Sequence, residues 1–159
     1  MVRGGTRRQP GAIVRAGARR AYINAMVFTR VKPSRHDLAD MSKAMTAVEH
    51  LSAFDTGHAV VVVRAYILAV AAGETTLAML GRTRSLRQWG IGAKHRRGVL
   101  ACRLSEPDGA AIDPGALIDQ AAAQGLAGVA VLGPGGEVHM DYLSHADRHG
   151  LFVIAERWG

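Results

Sequence analysis

Cysteine is nearly absent: Cys102 is the single one in 159 residues. An intramolecular disulfide and a cysteine-rich zinc site are both excluded, and a reducing compartment fits. Long apolar runs are missing too. The two longest, residues 59–63 and 66–72, are separated by Arg64 and fall far short of the ~20 residues that a membrane-spanning helix needs. Arg15, Arg19 and Arg20 interrupt any apolar core of a secretory signal, so the expected location is the cytoplasm. Acidic residues are absent from residues 1–36, which hold nine of the twenty Arg and Lys. The other 123 residues hold eleven basic and thirteen acidic residues, a net of −2, so the formal charge of +7 belongs to a tail rather than to a domain. Such a distribution does not favour a nucleic-acid partner, which calls for a basic domain. No Ser-His-Asp pattern, Walker loop or dinucleotide glycine fingerprint occurs.

What is present suffices for one folded unit. An apolar fraction of 48% with 21% charged residues lies in the ordinary globular range and far from the regime of disorder. Residues 1–27, rich in Gly, Arg and Ala with weak helical spacing over 12–23, read as a flexible basic tail, and residues 28–159 as the domain. Ser34 and Asp37 form a variant capping box ahead of Leu38, Met41, Met45, Val48 and Leu51 at helical spacing. Residues 59–63 and 66–70 read as a hairpin, residues 75–86 as a helix and 98–103 as a buried strand. Pro114 opens a helix closed by Gly125. Residues 128–132 are a strand and 137–140 a short one. Asp141 caps a helix ending at Gly150, and residues 151–155 form the last strand. Helices and strands alternate in the C-terminal half, so the predicted class is α/β: a single domain with a mixed β-sheet and flanking helices.

Several strings succeed one another at set distances: Phe28-Thr29 before Pro33; Asp55-Thr56-Gly57-His58 running into Ala59-Val60-Val61-Val62; Ile67-Leu68-Ala69-Val70; Gly125-Leu126-Ala127-Gly128-Val129-Ala130-Val131; and Ala146-Asp147-Arg148-His149-Gly150-Leu151-Phe152-Val153. Together, over about residues 28–154, they resemble the C-terminal domain of the LpxI-type UDP-2,3-diacylglucosamine pyrophosphatases. Departures accompany the matches. The family's Asp-Val-Gly-Gln stands here as Asp55-Thr56-Gly57-His58. Its Glu-Gly-Thr-Asp stands as Glu74-Thr75-Thr76-Leu77, which keeps the Glu and the Thr and loses the Asp, and an acid usual just upstream falls at Ala71. The family's long loop is shortened to residues 102–114; anchoring on Ile112 and Pro114 places Asp108 on the family's Asp and Glu106 on its Arg. Family members carry a further N-terminal domain, whose place the basic tail takes here.

The resemblance implies hydrolysis of the UDP-2,3-diacylglucosamine pyrophosphate bond, giving UMP and lipid X in lipid A biosynthesis. Such a reaction calls for a divalent cation, expected to be Mg²⁺ with oxygen ligands. By resemblance Asp108, Asp55 and Glu74 are its ligands, Asp108 is the catalytic residue, and Glu74, Thr76, Arg96 and Arg97 contact the UDP-linked lipid. Each has a structural reading beside this one: Asp108-Gly109 is a common turn pair, Glu74 and Thr76 suit a helix start, and Asp55 suits a turn. Arg82, Arg84, Arg87, Lys94, Arg96 and Arg97 suit a diphosphate, a peripheral contact with the inner membrane, or a solvated basic face. Asp141, His145 and His149 share a helical face that reads better as exposed than as a metal site. Cys102 reads as a core thiol. Two classes of function remain: a Mg²⁺-dependent pyrophosphatase, or a catalytically inactive relative acting as a nucleotide-sugar binding or assembly module. A homodimer or a separately encoded N-terminal half are the expected protein partners.

Overall fold

A computed structural model describes residues 14–16, 19–21, 29–54, 56–87, 96–133 and 138–157. The boundary expected at residue 27 falls outside these. Within the basic segment, β1 (Val14–Ala16) and β2 (Arg19–Ala21) form a separate antiparallel pair in place of the weakly helical reading. A helix there would span Gly17, at about 1 kcal/mol against Ala, without an apolar stripe to bury.

Ser34 starts α1 (Arg35–Ala53) as expected. Its hydroxyl accepts from the Asp37 N–H at 3.2 Å while the Asp37 carboxylate accepts from the Ser34 N–H at 2.8 Å. Met41, Ala44, Met45 and Val48 then fall on one face and are buried against Val60, Val62, Val99, Ala101, Ala130 and Ile154 of the sheet. That sheet has five strands in the order β4-β3-β5-β6-β7: β3 (Ala59–Val63), β4 (Tyr66–Ala71), β5 (Val99–Arg103), β6 (Gly128–Gly133) and β7 (Phe152–Arg157). The β3 strand pairs antiparallel with β4 and β5, whereas β5, β6 and β7 are parallel. On the other face lie α2 (Thr76–Arg87), α3 (Pro114–Ala123) and α4 (Met140–His149), over Val61, Val63, Leu100, Cys102, Val129, Val131 and Val153. Strand β3 is buried on both faces, which is why it reads as five apolar residues without alternation. No described helix is long and apolar enough to cross a membrane.

Two features of the fold depart from the sequence pattern or lie beyond it. Residues 138 and 139 belong to no strand, Met140 already begins α4, and Glu137 lies outside the described residues. The cap of α4 is His139, whose Nδ1 accepts from the Asp141 N–H at 3.2 Å, so Asp141 sits in the first turn instead. The β3–β4 turn places Arg64 and Ala65 at φ of 50° and 66°, the left-handed pair that a two-residue hairpin needs. Asp40, buried on α1, offsets that strain by accepting both turn N–H groups, from Arg64 at 3.1 Å and Ala65 at 2.7 Å. At the outer edge of β7, the Thr29 hydroxyl accepts the Val153 N–H at 3.1 Å.

Candidate functional site

Strand direction decides which loops meet. Ala71, Ala59, Cys102, Val131 and Ala155 stand in one row across the sheet. Just beyond this row lie the carboxyl ends of the three parallel strands, the start of β3 and the N-terminus of α2. In open α/β sheets ligands bind outside this edge.

His58 is fixed by the sheet itself: its N–H donates to the Ala71 carbonyl and its carbonyl accepts from the Arg103 N–H, both at 3.1 Å. Thr75 caps α2, its hydroxyl accepting from the Ala78 N–H at 3.1 Å. This leaves the N–H of Thr76, the first helical residue, pointing out of the helix end. The Glu106 carboxylate fills that position. Its Oε1 accepts from the Thr76 N–H at 2.9 Å and its Oε2 lies 2.9 Å from His58 Nε2. The pair is well shielded, with side-chain exposures of 4% for His58 and 13% for Glu106. Even so, His58 Nε2, Glu106 Oε2 and the buried Thr76 Oγ1 make no aligned hydrogen bond: the His58–Glu106 approach is close but off the line that an N–H···O bond requires. Beneath them is Cys102, whose thiol is pushed up to about 12 by burial, with the Glu106 charge adding to the effect. Such a thiol is no nucleophile at neutral pH. Tyr142 is likewise pushed up, by burial first and then by Cys102 and Asp113.

The expected site residues separate. Thr76 stands at this edge. Glu74 precedes the same helix, but its carboxylate is taken by Arg82, whose Nε lies 3.0 Å from Oε1 and whose second nitrogen lies 2.5 Å from the same oxygen. Asp108 is exposed in a tight turn: Gly109 N–H donates to the Glu106 carbonyl, and the Asp108 carboxylate accepts from the Ala110 N–H at 2.9 Å. Gly109, at φ 86°, closes that turn. Asp55 lies outside the described residues. Arg96 and Arg97 do not join the others. They precede β5 and so lie at its opposite end, where Arg96 donates to the Ala122 carbonyl at the close of α3 and the Arg97 N–H bonds to Gly125. At about 3.3 Å per residue, the five residues of β5 hold them roughly 17 Å from the Glu106 edge. Of the other basic residues, Arg82 and Arg84 are exposed on α2, while Lys94 and the side chain of Arg87 lie outside the described part.

His145 and His149 are not solvated independently. Both reach Asp119 Oδ1 on α3, at 3.0 and 2.8 Å, and these hydrogen bonds hold the Asp119 carboxyl below the usual carboxylate range. Gly115 permits the approach, since a Cβ there would lie 2.8 Å from the His145 ring. Asp141 is not part of this group. Among the described residues no three His, Cys, Asp or Glu side chains are arranged to hold a metal.

His58 and Glu106 are the residues at this edge that sequence reasoning does not assign to the site, although both positions depart from the family strings. The signal is a pair of departures, Gln to His and Arg to Glu; their contact depends on a fold that joins positions 48 residues apart. Comparison with known proteins matches residues 24–154 to the family described as LpxI C-terminal domain. The chain is also similar to a UDP-2,3-diacylglucosamine pyrophosphatase LpxI of Caulobacter vibrioides, with 34% identity over 134 residues, 79% of this chain and 47% of that relative. The chain thus spans about half the length of that relative.

Proposed function

Because this chain belongs to the family of the LpxI C-terminal domain, we propose that it acts in lipid A biosynthesis, hydrolysing the pyrophosphate bond of UDP-2,3-diacylglucosamine at the carboxyl edge of its parallel strands. Water adds across the P–O–P bond, releasing UMP and the lipid phosphate. The observation that carries this reading is the matched span itself, which covers both the Glu74-Thr75-Thr76 start of α2 and the Asp108 loop. In this reading the Thr76 end of α2 faces the phosphates and its dipole favours their charge, Asp108 orients water, and the basic surface rests against the cytoplasmic face of a membrane bearing the lipid. Arg96 and Arg97, at the far end of β5, have no part in it.

The family's reaction calls for Mg²⁺, and the described carboxylates do not fit such an ion. Glu74 is neutralised by Arg82, and Asp108 closes its own turn. The same two observations favour a second reading, in which the domain binds the nucleotide sugar without cleaving it.

One assay separates them. The purified chain is incubated with UDP-2,3-diacylglucosamine in detergent micelles, with Mg²⁺ or with EDTA, and UMP is quantified. The first reading expects UMP in amounts exceeding the protein, and the EDTA arm shows whether that release uses a divalent cation. Absence of UMP at high protein concentration from a folded sample contradicts it; saturable binding of the intact substrate in that sample establishes the second.

A further inference from the structure

The Glu106 carboxylate sits where a bound anion would. It caps an outward N–H at the N-terminus of a twelve-residue helix, the position at which the macrodipole favours negative charge. It also approaches an imidazole that is nearly inaccessible to water. As an occupant it fits poorly. A carboxylate has two oxygens in one plane: one reaches Thr76 N–H, the other meets His58 Nε2 out of line, and neither satisfies the Thr76 hydroxyl, which is buried without a partner. Buried polar groups left unpaired disfavour the state that contains them. A tetrahedral phosphate has enough oxygens, differently directed, to bond the N–H, the hydroxyl and the imidazole together.

Glu106 is also carried on a part that can move with little loss. It begins the turn of a short hairpin over residues 105–111, joined by the Ser105–Ala111 bridge, with Pro107, Asp108, Gly109, Ala110 and Ala111 all exposed. Withdrawing the hairpin's tip leaves these five residues as exposed as before and breaks the contacts of Glu106 with Thr76 and His58.

We propose that Glu106 is a built-in plug. Its carboxylate occupies a phosphate site formed by the Thr76 N–H, the Thr76 hydroxyl and His58, and a phosphate monoester or diphosphate binds when the hairpin withdraws it. The site rests on this geometry and not on any hydrolytic activity, so it is tested by binding.

The test is amide chemical-shift titration of wild type and Glu106→Ala with inorganic phosphate at constant pH and ionic strength. Glu106→Ala is expected to bind phosphate at least about tenfold more tightly than wild type, the value of roughly one charge-assisted hydrogen bond, with shifts centred on His58 and Thr76. Adding His58→Ala or Thr76→Val to Glu106→Ala removes the gain. Titration with UMP and with glucosamine 1-phosphate then tells a nucleotide source of the phosphate from a sugar one, and tighter binding of either supports the site. A folded Glu106→Ala protein with no response to any of the three overturns the proposal, as does a response that survives His58→Ala and Thr76→Val unchanged. If Glu106→Ala does not fold, Glu106→Gln decides: it keeps the volume but removes the competing charge, so it must bind phosphate more tightly than wild type.

Discussion

Asp108 and Asp40 are both turn-holding carboxylates, and the contrast between them shows what each can be asked to do. Asp108 is exposed and accepts one N–H, from Ala110. Asparagine keeps that acceptor and removes the charge. Asp108→Asn is expected to leave the melting temperature unchanged while lowering UMP release about a hundredfold, or roughly 2.7 kcal/mol of barrier. Turnover near the wild-type rate in that variant would transfer the chemistry to another acid. Asp40 is buried and accepts two N–H groups from residues in left-handed backbone. An amide there has one acceptor oxygen for two donors and turns its NH2 toward the second N–H, which loses its hydrogen bond at a cost of about 1 kcal/mol. Asp40→Asn is therefore expected to lower the urea midpoint clearly, and Ala65→Gly, which relieves the positive φ, to raise stability by about 1 kcal/mol. Equal midpoints for wild type and Asp40→Asn would show that the turn holds without the carboxylate.

Among the elements, the sequence was most legible where the determining contacts are local. The capping box of α1, the apolar run of β3 and the Pro114 start of α3 lie where periodicity and cap chemistry place them. The start of α4 was less legible because two capping groups, His139 and Asp141, stand two residues apart and only His139 holds the extended backbone of a cap. The α3–α4 contact depends on residues that no local pattern joins: Asp119 holds both His145 and His149. It makes stability depend on pH. The Asp119 carboxyl is lowered in the folded state, so the folded chain takes up this proton less readily than the unfolded one. The contribution is complete above the ordinary aspartate value of about 4 and is lost as pH falls through the lower folded value. Urea midpoints measured from about pH 5 downward should fall more steeply for wild type than for Asp119→Asn, and added salt should narrow the difference. Parallel curves would show that the pair of imidazoles contributes nothing.

For the molecule as a whole, the fold class and the order of elements were legible, whereas the arrangement of the site was only partly so. Arg96 and Arg97 illustrate the reason. They are close in sequence to the strand that delivers Glu106, but they precede it, and a strand holds the residues before it and the residues after it at opposite edges of the sheet. His58 and Glu106 illustrate the converse, distant in sequence and 2.9 Å apart across the β3–β5 pairing. A phosphate-bearing ligand is therefore expected to meet this domain at the carboxyl edge of β5. Amide chemical-shift mapping of the wild-type chain with increasing UMP tests that location. Shifts should gather at residues 57–59, 71–76 and 103–110, with residues 96–98 and 125–127 unmoved. Shifts gathered at residues 96–98 and 125–127 instead would place the ligand at the opposite edge and refute the assignment.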